Sequence, residues 1–198
     1  MVLNQIRARI RPFMDSIGRA LDSAGISPNT LTALGFSLAL VAGFLFAFDP
    51  HRQYLAAFAI IGSGVLDILD GAVARTSGKV TALGSFNDST LDRISEIGIF
   101  AGIAFGRYGL NPGIVLLALA FSLLVSYVRA KGESLGFAVA GIGIGERAER
   151  LIVLILFALA GYVWIGVYIV LVLAVVTFIQ RYAYLATSIR KKNKLKEP

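Results

Sequence analysis

From Thr30 to Phe48 no side chain carries a formal charge, and the same holds from Gly113 to Val128 and from Ile165 to Gln180. Runs of this kind approach the roughly 20 apolar residues that a helix needs to cross a bilayer. They exclude an ordinary soluble domain, and so does the whole chain of 198 residues: it is 57% hydrophobic with a mean hydropathy of +0.76. The pattern predicts an all-α integral membrane protein with six transmembrane helices at about 30–48, 53–75, 80–105, 113–130, 148–162 and 165–186. Trp164 and Tyr162 near the last turn fit an aromatic belt at the membrane interface.

Ahead of the first span, Leu3, Ile6, Ile10, Phe13, Ile17 and Leu21 recur at steps of three and four, while Arg7, Arg9, Arg11 and Arg19 take other faces. That is the pattern of an amphipathic helix lying in the membrane interface. Pro12 is expected to kink or split it. The basic opening lacks an unbroken apolar core and a cleavage site, so it does not read as a cleavable signal peptide. Asn29 or Thr30 is expected to cap the first span. Residues 1–25 are therefore expected to form an amphipathic juxtamembrane helix, 26–190 a six-helix transmembrane domain that would carry the site described below, and 191–198 a basic tail.

The net charge of +7 suits anionic headgroups or phosphate substrates, and the membrane segments argue against nucleic acid. With no cysteine, no disulfide or thiolate site exists. His51, the single histidine, sits in a polar loop and is given no role. With six spans both termini share one side with Arg75, Lys79, the cations between Arg129 and Arg150 and the basic tail, whereas the other side holds Arg52 and Arg107. The positive-inside rule places the termini and the site described next on the cytoplasmic face of the cell membrane.

Asp67 and Asp70 lie three apart near the end of the second span, and Asp88 and Asp92 four apart near the start of the third. On helices both spacings put the carboxylates on one face, and neighbouring helices would bring all four together at one membrane surface. A solvated pair of aspartates is commonplace on a soluble helix, but the apolar flanks here make the cluster a functional site by default. Four like charges so close require counter-charge. Two divalent cations would balance them, and oxygen ligands point to Mg2+ or Mn2+, with Ca2+ the other hard cation, rather than to Zn2+. A pair of such ions suits displacement at phosphorus. Gly71 leaves room for close approach of a ligand, Ala74 is small on the same face, and the Arg75 fork suits phosphate.

The residues Asp67, Asp70, Gly71, Ala74, Arg75, Gly84, Asp88 and Asp92 together resemble, position by position, the signature of the CDP-alcohol phosphotransferase family. The resemblance implies transfer of a phosphatidyl or archaetidyl group from a CDP-linked lipid to an alcohol, with release of CMP. It implies a di-metal centre on Asp67, Asp70, Asp88 and Asp92, contacts to the CDP moiety from Asp67, Gly71, Ala74, Arg75 and Thr81, and Asp92 as general base. It also implies a homodimer.

A second cationic group consists of Arg129, Lys131, Arg147, Arg150 and Arg181. Arg181 lies inside the last apolar span and is expected to face an aqueous cavity. Such a cluster wants a dianionic phosphate on the acceptor and disfavours serine. The runs from Ser126 to Ser134 and from Gly145 to Leu151 resemble the family branch that uses inositol phosphate. A glycerol-phosphate acceptor is the alternative within the family. Lipid-headgroup anchoring is the plain reading of the same cations. From another class, an aspartate-lined cation transporter would place its acids at the midplane, whereas these cluster toward one end.

Overall fold

The computed structural model describes residues 2–194, with side chains from Arg11 to Lys194. All regular structure among them is helical: α1 (Val2–Ser23), α2 (Pro28–Phe48), α3 (Gln53–Thr76), α4 (Ala82–Phe105), α5 (Pro112–Ser134), α6 (Arg147–Leu159) and α7 (Val163–Lys194), with a single 3-10 turn at Pro50–Arg52. Two compact units divide at residue 106.

In the first unit α2 is the spine, packing along both α3 and α4, while α1 packs on α3. Its buried face is made mostly of small residues, Gly35, Ala39, Ala42 and Gly43, with Leu31 and Phe46 toward its two ends. Small residues let helices approach where lipid supplies no hydrophobic drive between them. The approach is closest where Gly43 meets Gly98 and Gly102, since a Cβ on Gly102 would run into the Gly43 carbonyl. Gly18 of α1 likewise lies against the backbone of Ala72 and Val73, where a Cβ would come within 2.8 Å of the Ala72 carbonyl carbon.

Turn chemistry sets the register of the site. Gly78 (φ 71°) ends α3, with the Lys79 N–H donating to the Ala74 carbonyl in a Schellman arrangement. Three residues on, Thr81 caps α4 by accepting from the Gly84 N–H at 3.0 Å. A five-residue link, 77–81, thus joins the end of α3 to the start of α4.

In the second unit α7 packs against both α5 and α6. The buried stripe of α5 runs Val115, Ala118, Ser122, Val125, Val128 and Gly132, at helical spacing. The connection 135–146 folds back with Gly136, Gly141 and Gly143 at positive φ, and buries Val139 against Val128 and Leu185.

Several boundaries differ from the sequence reading. Ser27, not Asn29 or Thr30, caps α2: its hydroxyl accepts from the Thr30 N–H, and Pro28 at the first helical position needs no partner for the N–H it lacks. Helix α1 runs unbroken through the exposed Pro12 rather than splitting. Side chains 1–10, including Arg7 and Arg9, and the tail beyond Lys194 lie outside the described residues. Among the described residues, four helical segments are long and apolar enough to cross a membrane: Pro28–Phe48, Pro50–Thr76, Pro112–Ser134 and Val163–Lys194. Helix α4 carries Asp88, Asp92, Arg93 and Glu96, and α6 has only 13 residues, about 20 Å at 1.5 Å per residue.

Candidate metal centre and the cations around it

Asp67 and Asp70 sit in the last turns of α3, and Asp88 in the second turn of α4. One carboxylate oxygen from each lies within 4.8 Å of the others. Since α3 and α4 both lean on α2, these side chains meet where the two helices come together through their acids. Asp70 is only 7% exposed, and its Oδ2 accepts a 2.6 Å hydrogen bond from the Thr32 hydroxyl of α2. That short distance is typical of a hydroxyl bound to a carboxylate. Asp88 is half-buried and Asp67 exposed, so the cluster opens outward from Asp70.

Three carboxylates this close repel one another unless a cation sits between them. Oxygen donors alone, all anionic, fit a hard divalent ion such as Mg2+ or Mn2+. Asp92 stands one helical turn beyond Asp88, is half-buried, and does not belong to the converging trio. Arg93 Nη1 lies 3.7 Å from its Oδ2 and donates to the Ser89 carbonyl at 2.7 Å.

Arg75 lies over Gly71, with Nη1 3.3 Å from where a Cβ on that glycine would stand. Its Nη2 donates to Asp15 Oδ1 of α1 at 2.9 Å. One turn on, Lys79 donates to Asp22 Oδ1 at 3.0 Å. Ala74 is half-buried on the same helix, and Thr81, expected to touch the nucleotide, has its hydroxyl in the α4 cap. Three residues that bear on this site were not assigned to it from sequence. Thr32 was visible only as part of the run opening the first span. Asp15 and Asp22 carried a fainter signal, two acids seven apart on an otherwise basic helix.

In the second unit the cations separate into two kinds. Arg150 and Arg181 are each 2% exposed. Arg181 donates to the Ile142 carbonyl (2.8 Å), the Val125 carbonyl (3.1 Å) and Glu146 Oε1 (3.0 Å). Arg150 donates to the Gly145 carbonyl at 2.8 Å and the Ser122 carbonyl at 3.4 Å. The sequence reading put Arg181 on an aqueous cavity; instead its guanidinium fork ties α7 to α5 and to the connection 135–146. Backbone carbonyls in an apolar surrounding satisfy a fork as well as water does. Thr177 of α7 adds to the tie by accepting from the Gly145 N–H at 2.8 Å. Arg129 and Lys131, by contrast, are exposed, with Arg129 Nε on Glu133 at 2.9 Å, and Arg147 is half-buried at the start of α6.

Comparison with known proteins gives a consistent set of relatives. The sequence model described as CDP-alcohol phosphatidyltransferase matches residues 25–180. An archaetidylinositol phosphate synthase of Pyrococcus horikoshii is 42% identical over 180 residues, covering 91% of this chain and 94% of the relative. The phosphatidylinositol phosphate synthase of Mycobacterium tuberculosis, solved in complex with manganese and citrate, superposes with a TM-score of 0.76 at 29% identity, covering 88% of this chain and 89% of that one. The same enzyme solved with CDP-DAG bound gives 0.76 and 29%, covering 87% and 92%.

Proposed function

Since the chain belongs to the CDP-alcohol phosphatidyltransferase family, we propose that it transfers the phosphatidyl or archaetidyl group of a CDP-linked lipid to the hydroxyl of an inositol phosphate. The acceptor oxygen forms a bond to the lipid-side phosphorus, the bond from that phosphorus to the bridging oxygen breaks, and CMP departs. What carries this reading is the convergence of Asp67, Asp70 and Asp88 within 4.8 Å beside Arg75.

Asp67, Asp70 and Asp88 would hold one Mg2+ or Mn2+, and Asp92, one turn beyond Asp88, would complete the set for a second. When bound, such ions neutralise diphosphate oxygens and favour loss of the acceptor hydroxyl's proton. Asp92 receives that proton. Gly71 lets the diphosphate approach the α3 backbone, Arg75 offers it a guanidinium amino group, and Ala74 and Thr81 border the nucleotide. Arg129, Lys131 and Arg147 meet the acceptor's phosphate, while the buried Arg150 and Arg181 brace the wall that carries them. Their charge is why a phosphorylated polyol is preferred to serine or free inositol.

The reading includes six spans. Helices α4 and α6 cross with α2, α3, α5 and α7, and α1 rests in the interface. The termini and the aspartates lie on the cytoplasmic side of the cell membrane, where Arg and Lys accumulate. The resemblance also implies a homodimer, and lipids rather than nucleic acid are its partners.

The test is CMP release from a CDP-lipid by the purified protein with Mg2+ or Mn2+, offering inositol phosphate, glycerol phosphate, serine and free inositol separately. Turnover with inositol phosphate, lost in Asp92→Asn, supports the proposal. Turnover with glycerol phosphate alone would move the chain to another branch of the family. Absence of CMP with every acceptor and either metal would overturn the reading.

A further inference from the structure

Arg75 and Lys79 are the cations nearest the aspartates on α3 and its link, and both are held by one face of α1. Asp15 and Asp22 are seven residues apart, two helical turns, so they project from the same side of that helix. Between them Gly18 brings the α1 backbone against Ala72 and Val73, which fixes the height of both acids over α3. The pairs differ in kind. Lys79 is 60% exposed and sits on the link beyond α3, as a solvated surface pair does. Arg75 is less exposed and lies over Gly71, adjacent to Asp70.

The Arg75 fork is divided between two tasks. Its Nη2 is bound to Asp15 Oδ1 at 2.9 Å. Its Nη1 points over Gly71 and makes no hydrogen bond among the described residues. Arg11 Nε lies 3.8 Å from the other oxygen, Asp15 Oδ2, as a solvated surface pair does. A long arginine side chain has many rotamers, and ordering it before a ligand arrives removes a cost from binding. With one amino group anchored, the other is presented at the spot where a glycine has left room for a phosphate oxygen.

We propose that Asp15 is a positioning residue for the donor: through Arg75 it aims a guanidinium amino group at the diphosphate of the CDP-lipid. The inference rests on Arg75 contacting that diphosphate. It makes α1 a part of the nucleotide site as well as a membrane-surface helix.

The experiment is a double-mutant cycle on KM for the CDP-lipid, using the full-length protein with Mn2+ and saturating inositol phosphate. Asp15→Asn should raise KM for the donor about fivefold to tenfold with kcat little changed, a coupling in the range typical of residues in contact. Asp15→Glu should recover most of the loss. In an Arg75→Ala background, Asp15→Asn should add less than about twofold. Asp22→Asn breaks the companion ion pair on the same face and is the control for α1 docking alone; it should leave KM within about twofold. Thermal midpoints in detergent are recorded for each variant. Equal effects of Asp15→Asn and Asp22→Asn, tracking the midpoints, would reduce Asp15 to a docking contact and overturn the proposal. So would full additivity of Asp15→Asn with Arg75→Ala. If Arg75→Ala itself leaves the donor KM unchanged, the assignment of Arg75 to the diphosphate fails and the inference falls with it; if Arg75→Ala raises KM and Asp15→Asn does not, the inference alone falls.

Discussion

At the scale of single residues the centre depends on how Asp70 is held. The Thr32 hydroxyl donates to its Oδ2 at 2.6 Å and so orients the carboxylate beside Asp67 and Asp88. Groups that orient a metal ligand typically matter by about 10–100-fold in metal affinity. Thr32→Val, which keeps the shape and removes the hydroxyl, should therefore weaken Mn2+ binding by about that factor, whereas Thr32→Ser should not; Mn2+ titration followed by electron paramagnetic resonance reads this without turnover. Asp88→Asn should behave differently. It removes one of three mutually repelling carboxylates, so the metal-free protein should melt no lower than wild type while CMP release is lost. A lower midpoint for metal-free Asp88→Asn would mean that the acids stabilise the fold rather than serve a cation. The convergence of Asp67, Asp70 and Asp88 was legible in the sequence because acids are expensive in apolar surroundings, whereas Asp92, expected with them, stands outside the trio. Thr32 was not legible, because threonine is ordinary in a membrane helix and its partner lies 38 residues away. Arg181 was legible as an anomaly, but not in its use: nothing local shows that its acceptors are backbone carbonyls on other elements.

At the scale of elements, close backbone approach and buried forks do the joining. The contact of Gly43 with Gly98 and Gly102 leaves no volume for a side chain, and the obstacle is backbone, which cannot swing aside. Gly102→Leu should force α2 and α4 apart and lower stability by about 3 kcal/mol or more, above the usual cost of overpacking. A detergent melt should show a clearly lower midpoint, and with Asp88 displaced from Asp67 and Asp70, Mn2+ binding should weaken too. Arg181→Ala removes three donors from inside the second unit and leaves Glu146 without its guanidinium. Removing one member of a buried pair costs about 3–5 kcal/mol. The variant should therefore melt far lower, and a midpoint near wild type would return Arg181 to the acceptor site. Helix limits were readable where turn residues spelled them: α3 was expected at 53–75 and runs Gln53–Thr76, and α4 starts just after the Thr81 cap. They were less readable where an element continues past its apolar stretch. Helix α5 extends to Ser134 and α7 to Lys194 because polar residues prolong a helix freely once it leaves the apolar layer.

At the scale of the whole molecule the question is how many helices cross. Length and apolarity single out four segments and pass over α4 and α6. Yet their polar and apolar residues are arranged as in a membrane protein. In α4 beyond Asp92 the exposed side chains are Ile94, Ile97 and Phe105, whereas Ser95 and Glu96 are buried. In α6 the exposed ones are Ile152, Leu156 and Leu159, whereas Arg150 is buried alongside Leu154 and Ala158, and its donors reach backbone carbonyls. Charge held inside protein escapes most of the penalty from lipid, so counting charges along α4 underrates it. The shortness of α6 is the stronger objection, since about 20 Å of helix does not cover a hydrocarbon core of about 30 Å. For α6 to cross as proposed, a local thinning of the bilayer, or the flanking residues 160–162 at the α6–α7 turn, would have to make up the difference. The chain has no cysteine, so single introduced cysteines report topology without background. His51→Cys, Tyr108→Cys and Tyr162→Cys should react with an impermeant maleimide added outside intact cells. Ser77→Cys, Ser134→Cys and Ser188→Cys should react only after the membrane is opened. If Tyr108→Cys is shielded while His51→Cys is labelled, α4 does not cross; if Tyr162→Cys alone is shielded, α6 is the helix that stays within one leaflet. Labelling of Ser77→Cys from outside would put the aspartates on the wrong face for a donor made in the cytoplasm, and the proposed reaction would have to be abandoned along with the topology.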